Sequence, residues 1–318
     1  MPMAFKHFLS VADLSVDQAR DVLLLANDVK VNPGRYRSAL AGQTLAMIFQ
    51  KKSTRTRVSF EVGTYQLGGH ALFLSSADIQ IGRGETIADT ARVLSRYCNG
   101  IMARVYGHET ILELAQWSQV PVINGLSDLE HPCQTMCDAQ TLVERWSPAG
   151  TFDPDVVRGK TLVYVGDGNN MAHSLMDTGA VLGMNVTIVA PHGYWPDPNI
   201  VGRCQALGKQ TGARIAITDD TVEGVRDADC IYTDVWASMG QEDEHAKRLK
   251  DFNGFIVDEQ MMARANSDCV FMHCLPAHRG EEVSAPVCDG PQSIIFDQAE
   301  NRLHVQKALM IRLMGQGA

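Results

Sequence analysis

The stretch TLAMIFQKKSTRTRVSFEVGTYQLGG (residues 44–69) contains the two patterns that decide the fold. Its first six residues, TLAMIF (44–49), form a short and nearly continuous apolar run, which is typical of a buried β-strand. The segment TRVSFEVGTYQLGG (56–69) predicts an α-helix that ends at Gly68 and Gly69. The polar and basic residues between the two segments are therefore expected on a turn that leads from a strand into a helix.

The same alternation of short apolar runs and helix-length amphipathic segments continues along the chain. In the first half, further apolar runs lie at residues 70–74, 100–105 and 120–123. In the second half, they lie at residues 161–166, 185–190, 213–218, 230–235 and 269–274. Strands that alternate with helices favour parallel sheets with helices on their faces. The sequence therefore predicts an α/β fold with doubly wound parallel sheets.

Length and composition indicate two domains. A chain of 318 residues with 45% hydrophobic residues has enough apolar surface for two cores. The segment SPAGTFDPD (147–155) lacks apolar periodicity and is rich in proline and glycine, so it is the best linker candidate. We expect domains of similar size at residues 1–150 and 151–318. The amphipathic last segment (296–315) predicts a helix, at about residues 297–315, that packs back on the first domain.

Charge and hydropathy exclude two classes of partner. The formal net charge is -9, from 28 basic and 37 acidic residues, whereas nucleic acid favours a broad basic surface. The amino terminus, MPMAFKHFLSVADLS, lacks the apolar core of a signal peptide, and no window approaches about 20 uninterrupted apolar residues. We therefore expect a cytoplasmic protein that binds neither nucleic acid nor membranes.

The eight cysteines are scattered and do not follow the regular spacing of a disulfide framework. Most of them are expected to be small, buried apolar side chains. A metal site could in principle be drawn from His131, Cys133, Cys137, His273 and Cys274. However, Cys133 and Cys137 lie inside a predicted helix, and these residues do not form a closed tetrahedral set. We expect no metal ion and no cofactor.

The turn after the first strand places four cations within seven residues of an acidic chain, namely Lys51, Lys52, Arg55 and Arg57. The first N–H groups of a helix lack partners within the helix, and the helix dipole favours negative charge there. The hydroxyls of Ser53, Thr54 and Thr56 add donors, and the guanidinium of Arg55 suits phosphate oxygens. This pattern predicts a phosphate site without the glycines of a P-loop. The alternative is a solvated helix start, capped by Ser53 or Thr54, with arginines at the surface.

Three further motifs, GIMARVY, HPCQ and HCLPAHRGEEV, follow in chain order and contain Arg104, His131, Gln134, His273, Cys274 and Leu275. Arg104 lies at the end of a predicted strand, where the open sheet of an α/β domain binds its ligands. His131 and Gln134 come just before a predicted helix. Taken singly, each motif also has a structural interpretation, such as a buried His131 or a Cys274 in the core.

Taken together with STRTR, these motifs make the chain resemble the carbamoyltransferases over most of its length. The resemblance implies that Arg55 and Arg104 neutralise the phosphate of carbamoyl phosphate. It also implies that Thr56, Arg104 and His131 point at the carbonyl oxygen, and that Gln134 binds the carbamoyl amide. The full set of residues that it implies for carbamoyl phosphate is Ser53, Thr54, Arg55, Thr56, Gln80, Arg104, His131, Gln134, Cys274, Leu275 and Arg302.

Two members of this set come from less distinctive segments. By composition, the loop SSADIQIGRGET (75–86) is an ordinary solvated loop. In the family, a loop at this place reaches the site of a neighbouring subunit, and aspartate-using members carry a lysine there. This loop has no lysine, and Gln80 fits the ornithine-using version, so the resemblance implies a homotrimer with shared sites. Arg302 matches a family position that reaches carbamoyl phosphate; alternatively it is a surface arginine at the start of a helix.

The segment DVWASMG, directly after a predicted strand, resembles the acceptor loop of the ornithine-using members of the family. The resemblance implies that Asp234 pairs with the α-ammonium of ornithine, and that Ser238 and Met239 close over the ornithine chain. As plain structure, the same residues would be a loop with a helix-capping aspartate.

The segment YVGDGNNMAHS (164–174) contains a Gly-x-Gly pair after a strand, which is part of a dinucleotide-binding pattern. Met171 replaces the third glycine, so the nucleotide interpretation is weak. The resemblance instead assigns Asn170 to the amino-acid backbone of ornithine. Hydride transfer to a nicotinamide cofactor stays open as an alternative function.

Cys274 follows a histidine, which suggests a covalent nucleophile or a metal ligand. Carbamoyl transfer to an amine needs neither, because a desolvated pocket with a proton acceptor is enough. The family places this cysteine near the δ-amine as that acceptor, coupled to Asp234, and the departing phosphate is an equal alternative. The resemblance therefore implies that the catalytic residues are Cys274, Arg104, His131 and Asp234.

The expected reaction joins carbamoyl phosphate and L-ornithine to give L-citrulline and phosphate. One competing function is that of a sibling enzyme with another acceptor, such as aspartate, putrescine or a modified ornithine. A second is a regulatory protein that binds a phosphorylated metabolite without catalysis. The intact acceptor-side residues Asp234 and Cys274 favour an enzyme. The biosynthetic and the catabolic direction of the reaction stay open.

Overall fold

The structure is a computed structural model that describes residues 5–81, 84–237 and 244–315. Strands and helices alternate along the described residues, and both of their sheets are parallel. This confirms the predicted α/β class. By its contacts, the chain divides into two compact units, one formed by Met1–Pro154 with Glu300–Ala318 and the other by Asp155–Ala299.

The first unit is built on four parallel strands. These are β1 (Thr44–Phe49), β2 (His70–Ser75), β3 (Gly100–Arg104) and β4 (Val122–Leu126). Its helices are α1 (Val16–Val31), α2 (Thr54–Gln66), α3 (Ile87–Tyr97), α4 (His108–Trp117) and α5 (Pro132–Trp146). The sheet order is β2-β1-β3-β4, so the chain runs outward from β1 in both directions. The sheet is therefore doubly wound, and its direction reverses between β1 and β3.

The core of the first unit lies along β1, β3 and β4. Every residue of β3 and β4 is buried, and so are five of the six residues of β1. The edge strand β2 differs, because Leu72 and Phe73 are exposed on it. Parallel strands buried on both faces are nearly continuous apolar runs, which is why TLAMIF could be assigned to a strand from its composition.

The second unit has the same architecture with one more strand. Its strands are β5 (Thr161–Val165), β6 (Asn185–Val189), β7 (Ile215–Thr218), β8 (Cys230–Thr233) and β9 (Val270–His273). Its helices are α6 (Asn170–Leu182), α7 (Pro198–Thr211), α8 (His245–Asp251), α9 (Glu259–Met262) and α10 (Ala285–Cys288). The sheet order is β7-β6-β5-β8-β9, and its direction reverses between β5 and β8.

The last helix, α11 (Ile295–Met314), packs on helices of the first unit. The Nζ of Lys307 donates to the Oε1 of Gln66 in the last turn of α2, at 3.0 Å. The guanidinium of Arg312 lies 2.6 Å from the carboxylate of Asp21 in α1. These contacts confirm the prediction that the last helix packs back on the first domain.

Several element boundaries differ from the sequence expectation, and two of them lie close to the site residues. Strand β4 begins at Val122 and extends to Leu126, because its residues pair with β3 as far as Arg104. Helix α5 begins at Pro132, so Gln134 lies in its first turn rather than before it. Proline is favoured at this first helical position, since the missing N–H has no intrahelical partner there.

Among the described residues, no helix is long and apolar enough to cross a membrane.

Candidate active site

The basic turn lies at the point where the first sheet reverses its direction. Phe49, the last residue of β1, is in register with Arg104, the last residue of β3. The chain then turns at Ser53, whose Oγ accepts a hydrogen bond from the N–H of Thr56 at 3.2 Å and so caps α2. This cap starts the helix at Thr54. The amino end of α2 and the guanidinium of Arg104 therefore follow neighbouring strand ends, which is where open α/β sheets bind ligands.

Thr56 is the meeting point of two buried arginines. The Nη2 of Arg302 donates to the Oγ1 of Thr56 at 3.1 Å, and the Nη1 of Arg104 lies 3.5 Å from the same oxygen. Arg302 also donates from Nη1 to the Oε1 of Gln134 at 2.5 Å. All four side chains are buried, and Arg302 is only 4% exposed, which excludes the surface position considered for it.

His131 lies beside these arginines at the start of α5. Burial lowers the pKa of His131 well below its usual 6.5, and the charges of Arg302, Arg104 and Arg55 lower it further. The imidazole is therefore neutral near pH 7, and a neutral imidazole donates one hydrogen bond and accepts one. Such a ring can donate to a carbonyl oxygen without adding another positive charge.

Gln134 is oriented by its own helix. Its Nε2 donates to the Oδ1 of Asp138, one turn further along α5, at 2.8 Å. Asp138 was not among the residues expected at the site. The signal that could have found it is the spacing of four residues on a predicted helix, which places the two side chains on one face.

Two of the four cations of the turn, Lys51 and Arg55, lie near the buried cluster around Thr56, and the other two, Lys52 and Arg57, are exposed. The pKa of Lys51 is lowered by burial and then by the charge of Arg104, so Lys51 lies close to the buried cluster. Arg57 lies over the ring of Phe73 at 3.7 Å and is 3.5 Å from Glu61, on the exposed side of α2. Lys52 is exposed. Arg55 lies near enough to His131 to lower its pKa.

Gln80 is exposed on the loop after β2, outside the buried cluster around Thr56. Residues 82 and 83 of the same loop lie outside the described residues.

The second unit brings Asp234 and Cys274 together. Asp234 directly follows β8 and Cys274 directly follows the neighbouring strand β9. With His273, they present ligand-type atoms that all lie within 4.8 Å of one another. The Cys274 thiol forms a hydrogen bond with the Asp234 carboxylate. Burial raises the pKa of Asp234, although the nearby His273 and this hydrogen bond act in the opposite direction.

His273 is held between two groups of its own segment. Its Nδ1 accepts a hydrogen bond from the N–H of Leu275 at 2.8 Å. The proton of a neutral ring is therefore on Nε2, which lies 3.2 Å from the Oε1 of Glu282. Leu275 has a φ of 61°, a left-handed conformation that is costly for a leucine, and the bond to His273 helps to hold it there. Glu282 was not expected at the site, although it lies in the quoted motif HCLPAHRGEEV.

The turn between β5 and α6 packs too closely to admit a side chain at Gly168. A Cβ on Gly168 would lie 2.3 Å from the main-chain N of Pro196, so only glycine fits. Asn169 caps α6 by accepting from the N–H of Met171 at 2.9 Å, and Asn170 is the first residue of that helix. Met171, in the place of the third glycine of the nucleotide pattern, is buried. The close packing explains Gly168 without a nucleotide.

Ser238 and Met239 of the expected acceptor loop lie outside the described residues, which resume at Glu244. Before this gap, the main-chain oxygen of Trp236 accepts from the Nη1 of Arg248 at 2.7 Å. The same Nη1 donates to Asp167 at 2.6 Å. Asp167 lies in the β5–α6 turn, so Arg248 connects the segment after β8 to the turn that precedes Asn170. The sequence did not single out Arg248.

The fold and these clusters define a class of protein, namely a two-unit α/β protein. Its first unit has a cationic ligand site at the end of the sheet, and its second unit has a carboxylate and a thiol at the corresponding end of its own sheet. Comparison with protein families narrows this class. The carbamoyl-P binding domain of the aspartate/ornithine carbamoyltransferases matches residues 6–144. The Asp/Orn binding domain of the same family matches residues 158–313.

Individual relatives agree with this match. Ornithine carbamoyltransferase of Thermococcus kodakarensis is 51% identical over 315 residues, which are 98% of each chain. The crystal structure of anabolic ornithine carbamoyltransferase from Campylobacter jejuni is similar at a TM-score of 0.89 and 42% identity, covering 96% of this chain and 98% of that one. Ornithine carbamoyltransferase from Pyrococcus furiosus has a TM-score of 0.92 at 50% identity, covering 99% of this chain and 98% of that one. The chain belongs to the aspartate/ornithine carbamoyltransferase family, which confirms the resemblance found in its motifs.

Proposed function

We propose that this protein transfers the carbamoyl group of carbamoyl phosphate to the δ-amine of L-ornithine, giving L-citrulline and phosphate in arginine metabolism. The observation that carries the proposal is that the chain shares about 50% sequence identity with ornithine carbamoyltransferases over nearly its whole length. The residues around Thr56 and Asp234 provide the groups that this transfer needs. We assign carbamoyl phosphate to residues 1–150 and ornithine to residues 151–318, with the last helix returning to the first domain.

The phosphate of the donor would lie at the amino end of α2. The first-turn N–H groups, the hydroxyls of Ser53 and Thr54 and the guanidinium of Arg55 would bind its oxygens, because each is a donor in a region of positive potential. Arg104 and Arg302 would add charge from the buried side of the site. As the bond to phosphate breaks, negative charge builds on the leaving oxygens, and these fixed cations stabilise it without reorganising.

The carbonyl oxygen and the amide of the carbamoyl group need different partners. Thr56, Arg104 and the neutral His131 are the proposed donors to the carbonyl oxygen, where charge develops as the amine attacks. Gln134 is the proposed partner of the amide. Its Oε1 is bound to Arg302 and its Nε2 to Asp138, so the side chain is held in one orientation. The partner subunit's loop would add Gln80, and we also assign Cys274 and Leu275 to carbamoyl phosphate.

The acceptor side must bind an amino acid and accept a proton. We assign the α-ammonium of ornithine to Asp234 and its backbone to Asn170, with Ser238 and Met239 against the aliphatic chain. The δ-amine attacks only in its neutral form, so a proton must leave it before or during the attack. The Cys274–Asp234 pair can accept that proton, and the departing phosphate can accept it as well. Neither route requires a cofactor.

A homotrimer in the cytoplasm completes the proposal. The edge strand β2 and the neighbouring helix α2 expose a set of apolar side chains, here called the α2–β2 surface, which consists of Val58, Val62, Leu72 and Phe73. An open strand edge beside exposed apolar side chains is a favourable surface for contact with another chain. Contact with a second copy there would bury this surface next to the loop that carries Gln80.

The deciding experiment is an assay of the purified protein with carbamoyl phosphate and either L-ornithine or L-aspartate. We expect citrulline and no carbamoyl-aspartate. Carbamoyl-aspartate alone would move the protein to the aspartate-using branch of the family. No product with either acceptor, together with binding of carbamoyl phosphate, would support the regulatory alternative. A native mass measured on the same sample tests the trimer independently of activity.

A further inference from the structure

A second cluster of metal-binding side chains lies in the turn after β9, outside the acceptor cluster of Asp234, His273 and Cys274. His278, Glu281 and Glu282 each present one ligand atom, and the three atoms all lie within 4.8 Å of one another. The Nδ1 of His278 is 3.6 Å from the Oε2 of Glu281 and 4.0 Å from the Oε2 of Glu282. These distances are too long for hydrogen bonds.

The two carboxylate oxygens of Glu282 have different surroundings. The Oε1 accepts from the N–H of His278 at 2.5 Å and lies 3.2 Å from the Nε2 of His273. The Oε2 is buried and has no hydrogen-bond partner among the described residues. A buried carboxylate oxygen without a partner costs free energy, which a bound cation would offset. The unpartnered Oε2 lies on the side of His278, within the cluster of ligand atoms.

The spacing and chemistry of the three ligands fit zinc. Ligands about 2.1 Å from a tetrahedral zinc ion lie about 3.4 Å apart, so the observed separations close with small side-chain rotations. One imidazole with two carboxylates suits Zn²⁺ better than Mg²⁺ or Ca²⁺, which prefer oxygen ligands alone. The two carboxylates also balance the charge of the ion. His278 and Glu281 are partly exposed, which leaves the fourth position to solvent.

We propose that His278, Glu281 and Glu282 form a Zn²⁺ site with three protein ligands and one water. His245, the first residue of α8, supports it, because its Nε2 lies 3.0 Å from the Oε2 of Glu281 and orients that carboxylate. A bound ion would connect the turn at residues 278–282 to α8. Through Glu282 it would also hold His273, the residue before Cys274. The site is structural for the acceptor side rather than part of the transfer chemistry, and it does not depend on the proposed reaction.

The test must separate this site from the acceptor cluster, because Cys274 is itself a zinc ligand type. We would therefore use a Cys274→Ser background, remove metals from the full-length protein with EDTA, exchange it into chelator-free buffer and titrate it with zinc chloride by calorimetry. We expect one zinc ion per chain. Adding His278→Ala or Glu281→Gln should each weaken binding by at least about tenfold. The matched control is His192→Ala, an exposed histidine of the same unit, which should change nothing.

Thermal unfolding of the same proteins provides the second readout. Zinc should raise the Tm of the Cys274→Ser protein and leave the Tm of the His278→Ala double variant unchanged, and the transition itself shows that each variant is folded. Loss of all zinc binding in Cys274→Ser alone would overturn the proposal in favour of the acceptor cluster. Unchanged zinc affinity after both His278→Ala and Glu281→Gln would overturn it as well.

Discussion

Arg302 and Thr56 are separated by 246 residues, yet the Nη2 of Arg302 donates a hydrogen bond to the Oγ1 of Thr56 at 3.1 Å. The contact exists because α11 packs against α2 in the first unit. It places a buried guanidinium behind the first turn of α2 and ties this turn to Gln134 through a second hydrogen bond. The last helix is thereby part of the proposed donor site.

Replacing Arg302 with alanine should reduce kcat/KM for carbamoyl phosphate by about 100-fold or more, because one buried cation and two hydrogen bonds are lost from the site. Arg302→Lys should recover little, since a lysine cannot donate to Thr56 and Gln134 with one planar group. Steady-state kinetics with varied carbamoyl phosphate would measure kcat/KM for both variants. The control is Arg312→Ala, on the same helix as Arg302, which removes an ion pair with Asp21 of α1 and should keep kcat/KM. Equal losses in the two alanine variants would mean that Arg302 acts only by holding the helix.

The two substrates should depend on different units. Arg55→Ala should weaken carbamoyl phosphate binding far more than ornithine binding, because Arg55 lies at the start of α2 among the proposed phosphate donors. Asp234→Ala should do the reverse, since it removes the proposed partner of the α-ammonium. Each variant would be assayed with one substrate saturating and the other varied. The assignment fails if both variants lose the two substrates equally.

Acid should weaken ornithine binding through Asp234. Burial raises the pKa of this carboxyl, so as the pH falls it takes up a proton at a higher pH than an ordinary aspartate does, and then no longer attracts the α-ammonium. The same raised pKa means that Asp234 adds stability at low pH, which is lost as the pH rises through that pKa. Binding of L-norvaline, which lacks the δ-amine, at saturating carbamoyl phosphate isolates this titration. Affinity should fall towards acid in the wild type and be weak but flat in Asp234→Asn.

His131 should make the folded protein sensitive to acid. Its pKa lies well below 6.5 in the folded state, so below pH 6.5 the unfolded chain binds a proton that the folded chain excludes. Stability is therefore lost as the pH falls, by at most about 2 kcal/mol from this residue between pH 7.5 and 5. Urea unfolding should show a smaller loss in His131→Asn than in the wild type. His192→Asn, at an exposed site, should behave like the wild type. An identical loss in all three proteins would count against a depressed His131 pKa.

Much of the first sheet and the order of its motifs could be predicted, because buried parallel strands and helix starts have local signals. The orientation of the basic residues was partly predictable as well. Arg55 and Arg57 lie two positions apart on a helix, about 200° around its axis, so they cannot face the same site. Arg57 accordingly lies over Phe73 at 3.7 Å, on the exposed side.

The parts that could not be predicted depend on long-range packing. Nothing in the segment around Arg302 indicates whether it is buried, because this depends on where α11 packs. The same holds for Arg248, which contacts Trp236 and also Asp167, 81 residues earlier in the sequence. Glu282 escaped notice for another reason. Its motif drew attention to the histidine and the cysteine, whereas its buried carboxylate becomes visible only in the hydrogen bond to His273.

The trimer should depend on the α2–β2 surface. Val62→Asp on α2 and Leu72→Asp on the edge strand would each place a charge on an exposed position that a neighbouring subunit is proposed to cover. In the separate chain these substitutions cost little, because both side chains are already partly in water. In an assembled trimer each charge would be buried without a partner, so native mass spectrometry at low micromolar concentration should show monomers.

The matched control for this surface is Leu112→Asp, an equally exposed leucine on α4 of the same unit, which should stay trimeric. If sites are shared through the loop that carries Gln80, the two dissociating variants should also lose citrulline formation, and mixing each with an active-site variant such as Arg55→Ala should restore none of it. A wild type that is monomeric, or Val62→Asp and Leu72→Asp variants that remain trimeric, would remove this surface from the proposal and leave the assignment of the reaction unaffected.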